Sequence, residues 1–76
     1  MNDKRRELLR QAESFLKKAA LLIERAADEE QNSFENLPES IRDGERGEKM
    51  EAATELLEDA GHEVSVIVET LLEAAR

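Results

Sequence analysis

Apolar residues recur along two long stretches of the chain at alternating spacings of four and three, a pattern typical of helices that pack in pairs. In the first stretch these positions are Leu8, Ala12, Phe15, Ala19, Leu22 and Ala26. In the second stretch they are Met50, Ala53, Leu57, Ala60, Val64, Ile67, Leu71 and Ala74. We predict that the two sets face each other between two helices, and we call them the predicted seam.

The sequence between the two stretches contains the residues that end helices. Pro38 disfavours helix at the residue before it and suits the first position of a short helical turn, which Gly44 would close. We therefore predict a first helix over about residues 3–33, a connection over 34–44 that contains the short turn, and a second helix over about 45–75. Two helices of similar length with a short connection predict an antiparallel hairpin of the coiled-coil type, a single all-α domain over residues 1–76.

Gly61 interrupts the second stretch, because glycine is unfavourable inside a helix. One interpretation ends the helix there and starts a third helix at His62. The spacing of apolar residues continues through Gly61 without a slip, so we predict one continuous helix.

A further set of apolar residues borders the predicted seam on one edge of the hairpin. If Leu16 lies opposite Gly61, this edge would be exposed in a single chain, and exposed apolar stripes usually mark contact surfaces. The sequence therefore predicts a homodimer that forms a four-helix bundle. We call these residues the predicted edge: Leu9, Leu16, Ala20, Ile23, Val68 and Leu72.

Composition narrows the possible functions. The 76 residues carry a net charge of −8, and no cysteine is present for disulfides, thiolate metal sites or thiol catalysis. Residues 1–25 are basic, at +3, and we expect them to neutralise the acidic remainder, at −11, rather than to bind nucleic acid. No apolar run reaches the length of a membrane span and no signal peptide is visible, so we expect a cytoplasmic protein with no membrane partner.

The chain offers few candidates for chemistry. Asp59 and His62 resemble the Glu-x-x-His pair of metal-binding bundles, but they fall on the solvated side of the predicted seam, so we expect an exposed histidine. Glu55 and Glu58 have a spacing used by helical pyrophosphatases to hold magnesium, but no carboxylate pair on the first helix completes such a site. We predict no catalytic residue, no metal site and no cofactor, and hence no enzyme.

One segment of the sequence resembles a known pattern. It runs from Glu29-Glu30-Gln31 through Asn36-Leu37-Pro38-Glu39-Ser40 to Gly44-Glu45-Arg46-Gly47-Glu48-Lys49-Met50-Glu51. This segment, roughly residues 28–60, is similar to small uncharacterised acidic helical proteins of bacteria and their phages. The resemblance implies a bacterial or phage origin and no particular activity, cofactor or partner.

The connection is the predicted site for a protein partner. It is longer than a helical hairpin needs, and its apolar residues either close the end of the core or form an apolar anchor with an acidic rim. The residues of this predicted tip site are Phe34, Glu35, Leu37, Glu39, Ile41 and Asp43. From size and origin we predict a non-enzymatic inhibitor or adaptor that acts stoichiometrically on a host protein in the bacterial cytoplasm. The alternatives are a purely structural assembly element and, more remotely, a metal- or nucleotide-binding bundle.

Overall fold

The computed structural model describes all 76 residues, and the chain is entirely helical apart from short connections. Helix α1 spans Asp3–Glu35, α2 is a single turn at Glu39–Arg42, and α3 spans Glu45–Ala74. The two long helices pack against each other along their length, and α2 lies against α3. The molecule is therefore a rod, with extents of 58 × 14 × 12 Å.

Local sequence signals account for the helix ends. The Asn2 side chain accepts a hydrogen bond from the backbone N–H of Arg5 at 2.9 Å and caps α1. Pro38 directly precedes α2, and Gly44 directly precedes α3, whose first turn carries Glu45 and Glu48 beside the positive helix end. Helix α3 runs unbroken through Gly61, which confirms the prediction of a continuous second helix.

Two contacts at different positions along the rod show that α1 and α3 are antiparallel. The Arg6 side chain donates a hydrogen bond to the carbonyl oxygen of Ala75 at 3.0 Å, and Ile23 packs against Gly61. The predicted alignment of Leu16 with Gly61 is therefore wrong by seven residues. Because α2 folds back against α3 instead of extending α1, the chain reverses its direction further along the sequence than predicted.

The observed seam on α3 shares four of its nine positions with the predicted seam. Met50, Leu57, Val64 and Leu71 lie toward α1 as predicted. The other five contact positions form a different row, in which residues follow one another at intervals of seven. Four of them lie one position after the predicted Ala53, Ala60, Ile67 and Ala74. The members of this row are Gly47, Thr54, Gly61, Val68 and Ala75.

On α1 the predicted seam is wrong. Leu8, Phe15 and Leu22 are 57%, 69% and 65% exposed. The residues turned toward α3 lie one position later, and with this shift the contacting row includes two carboxylates. This row consists of Leu9, Glu13, Leu16, Ala20, Ile23, Ala27, Glu30 and Phe34.

Polar residues in the observed seam explain why its pattern was obscured. The Glu13 carboxylate lies 2.6 Å from the Lys17 ammonium group, so its charge is paired at the margin of the seam. The buried Thr54 hydroxyl donates to the carbonyl oxygen of Met50 at 3.1 Å. Both polar groups are satisfied within their own helix, so neither opposes the packing of Leu9, Leu16 and Ile23 against α3.

Candidate functional site

One long side of the hairpin carries an exposed apolar surface, which we call the apolar face. Its large side chains are Leu8, Phe15 and Leu22 on α1 and Leu56 and Ile67 on α3, between 48% and 69% exposed. Alanines lie between these side chains, directly beside the observed seam, and form a shallow central strip. The alanines are Ala12, Ala19, Ala26, Ala53, Ala60 and Ala74.

The two rows of alanines lie on the same side of the hairpin because the helices are antiparallel. An antiparallel pair is related by an approximate two-fold axis across the rod, and that axis brings equivalent positions of both helices to one side. On the opposite side, polar residues of both helices also come together: Glu24 of α1 lines the same groove as Glu58 and Ser65 of α3. The hairpin therefore has one apolar side and one polar side.

Little apolar surface is buried within the chain. Only four of the 76 residues are buried, Ala27, Gly47, Thr54 and Val68, and no large side chain is fully enclosed. The accessible surface is 5858 Å², whereas a globular monomer of this mass exposes about 4,700 Å². The excess of roughly 1,200 Å² is larger than the surface of about 800 Å² that one partner buries in an interface of standard size.

The predicted edge does not form an exposed surface. Val68 is 7% exposed, and Leu9, Leu16, Ala20 and Ile23 are half-buried against α3. These five residues hold the two helices together, so the prediction that they are exposed in a single chain is wrong. Leu72 is exposed, but it lies on the polar side.

The tip combines half-buried apolar residues with exposed charges. Phe34 and Leu37 are half-buried, and Ile41 is exposed. Glu35, which accepts a hydrogen bond from the Gln31 amide at 3.0 Å, is exposed. The remaining members of the predicted tip site, Glu39 and Asp43, are exposed in the same connection. Phe34 thus lies in the row of α1 that contacts α3, at its end, whereas Ile41 is exposed in a connection that also contains Glu39 and Asp43.

A groove on the polar side contains two of the four candidates for chemistry, Glu58 and His62. It has a volume of about 260 Å³, with Gly61 as part of its floor, and His62, Glu58, Glu24 and Asp28 around it. His62 is exposed, and no group of three or more possible metal ligands occurs in the structure. Glu55 is also exposed and does not line this groove. No helix is both long enough and apolar enough to span a membrane.

Sequence reasoning missed the role of Gly47 and Gly61. Both belong to the row of α3 residues, spaced seven apart, that contacts α1 and α2. The two glycines are 14 residues apart in this row. Two glycines at that spacing within one helical segment are the signal that could have identified the observed seam, because small residues mark close helix packing. Comparison of the chain with protein-family models, curated proteins and solved structures finds no match.

Proposed function

We propose that the chain is a non-enzymatic protein-binding module that self-associates through the apolar face into a four-helix bundle. The observation that supports this proposal is the exposure of Phe15, Leu22 and Leu56 on one side of a molecule that encloses no large side chain. Exposed apolar patches of this kind mark protein contact surfaces in soluble proteins. Burial of the face would give the chain the core that the hairpin lacks.

The face is large enough for this role. A rod of 58 × 14 × 12 Å presents roughly 700–800 Å² in projection on one long side, close to the area that each partner contributes to a standard interface. At about 25 cal/mol per Å² of apolar surface, even partial burial stabilises an assembly by several kcal/mol. Phe15 contributes most, because an aromatic ring covers more area than any other side chain on the face.

Two adjacent leucines provide a matched test of the apolar face. Leu21 and Leu22 are 66% and 65% exposed, but only Leu22 lies on the apolar face. We expect Leu22→Glu to lower the average mass measured by sedimentation equilibrium toward 8.6 kDa. We expect Leu21→Glu to leave the mass of the assembly unchanged. Equal effects of the two substitutions would contradict the proposal.

The self-associated module acts on a second protein through its acidic tip, as an inhibitor or adaptor in the bacterial cytoplasm. Residues 28–48 carry eight acidic and two basic groups, a net charge of −6. Ile41 is an exposed apolar side chain within this field, and such an arrangement favours a partner with a basic surface. Reversing Glu35 and Glu39 to Lys should weaken binding of such a partner and leave the fold intact.

A structural assembly element is the second candidate. The half-buried Phe34 favours it, because a ring that closes the end of the seam stabilises the hairpin without any partner. In that case the charge reversal at Glu35 and Glu39 would leave all interactions of the protein unchanged. A metal- or nucleotide-binding bundle has no comparable support.

A further inference from the structure

The charges along the rod are segregated between its two ends. The tip, taken as residues 28–48, has a net charge of −6. The opposite end, where Arg6 meets Ala75, comprises residues 1–18 and 66–76 and carries seven basic and five acidic groups, a net of +2. Each hairpin is therefore an electrical dipole that has its negative end at the tip.

We infer that the occupant of the apolar face is a second copy of this chain in the reverse orientation, with each acidic tip beside the basic end of its neighbour. This inference rests on the proposed function and specifies the arrangement of its bundle. A parallel arrangement would place two groups of −6 side by side, and like-charge juxtaposition opposes association. The reverse orientation instead brings −6 next to +2 at both ends of the assembly.

The shape of the apolar face fits its own reversed copy. Leu8, Phe15 and Leu22 follow one another at intervals of seven residues, which is about 10 Å along a helix. A two-fold axis that crosses the face midway between Phe15 and Leu22 brings Phe15 of each copy beside Leu22 of the other and sets each tip level with the basic end of its neighbour. The alanine strip between the helices leaves space for these side chains, so the two copies can approach each other closely. A closed two-fold contact of this kind would give a finite assembly, because it leaves no apolar face uncovered.

The arrangement has a consequence for the tips. Two acidic tips project from opposite ends of the assembly, and each is accessible on its own. A protein that binds the tip would therefore bind with one copy per chain, two per dimer, at sites separated by much of the 58 Å rod length.

A distance measurement between two spin labels tests the orientation. The chain contains no cysteine, so Ser33→Cys, at an exposed position near the tip, places one label in each copy. At 1.5 Å per residue, the reverse orientation places the two labels about 40–55 Å apart, and the parallel orientation places them within about 25 Å. Ser40→Cys in α2 provides a second label position at the same end if the first disturbs assembly.

The outcomes separate this inference from the proposal on which it rests. A long distance in a sample with twice the mass of the chain supports the reverse orientation. A short distance in the same sample overturns the orientation and leaves self-association intact. A labelled protein that sediments as a monomer, like the unlabelled protein, overturns both.

Discussion

Gly47 of α3 packs directly against the backbone of Arg42 at the end of α2. A β carbon on Gly47 would overlap the carbonyl group of Arg42 and approach its Cα within 2.7 Å. The absence of a side chain at this position is what allows α2 to fold back onto α3 and fixes where the chain reverses.

We therefore expect Gly47→Ala to destabilise the hairpin although alanine is the better helix former. The overlap is with backbone rather than a flexible side chain, so α2 must move, and overpacking of this kind costs roughly 1–3 kcal/mol. The gain in helix propensity, about 1 kcal/mol, offsets only part of this cost. Urea denaturation followed by circular dichroism measures the change. An unchanged or increased midpoint would show that α2 is not held against Gly47.

Gly61 of the same helix should behave in the opposite way. A β carbon there would lie 3.6 Å from the Cγ2 atom of Ile23, an ordinary van der Waals contact. We expect Gly61→Ala to stabilise the protein by about 1 kcal/mol, because alanine is favoured in a helix interior. In a domain of this size the corresponding rise in Tm is about 4–8 °C, measured at the same protein concentration as the original chain. A fall in Tm would mean that α1 lies closer to Gly61 than the 3.6 Å contact with Ile23 indicates.

The sequence contains the signals for the helices, their ends and their antiparallel arrangement, but not for the face of α1 that contacts α3 or for the alignment of the two helices. Pro38 and Gly44 directly precede α2 and α3, within one residue of the predicted boundaries, and the four larger positions of the α3 seam agree with the prediction. On α1, two apolar stripes with the same spacing run side by side, and the spacing alone favours the uninterrupted stripe, which is not the one that contacts α3. Glu13 interrupts the stripe that contacts α3, where its side chain is only 16% exposed and its carboxylate is paired with Lys17. The two stripes have the same spacing and differ by one residue, so side-chain contacts such as the Glu13–Lys17 pair decide which of them faces α3.

The exchange of the two stripes also changes the candidate site. Leu9, Leu16 and Ile23 were assigned to the surface and Leu8, Phe15 and Leu22 to the interior, whereas the structure has the opposite arrangement. The prediction of an apolar stripe beside the seam can still be made from the sequence, because α1 has more apolar residues than one seam can bury. Which stripe remains exposed could not be derived from spacing alone.

We expect the protein not to bind duplex DNA at micromolar concentration and physiological salt. The chain is strongly acidic overall, with a net charge of −8, and four basic groups of the basic end already lie beside carboxylates. These pairs are Arg6–Asp3, Arg10–Glu7, Lys17–Glu13 and Arg76–Glu73. An electrophoretic mobility shift assay measures binding directly. A shift that disappears steeply with added salt would identify α1 as a helix that binds a phosphate backbone.

The central claim is that the apolar face is covered by a second copy of the chain. Sedimentation equilibrium of the unmodified protein over a range of micromolar concentrations tests it most directly, because the measured mass does not depend on molecular shape. We predict an average mass that rises with concentration to about twice the 8.6 kDa of the chain. A mass that stays at 8.6 kDa across the range would contradict the account.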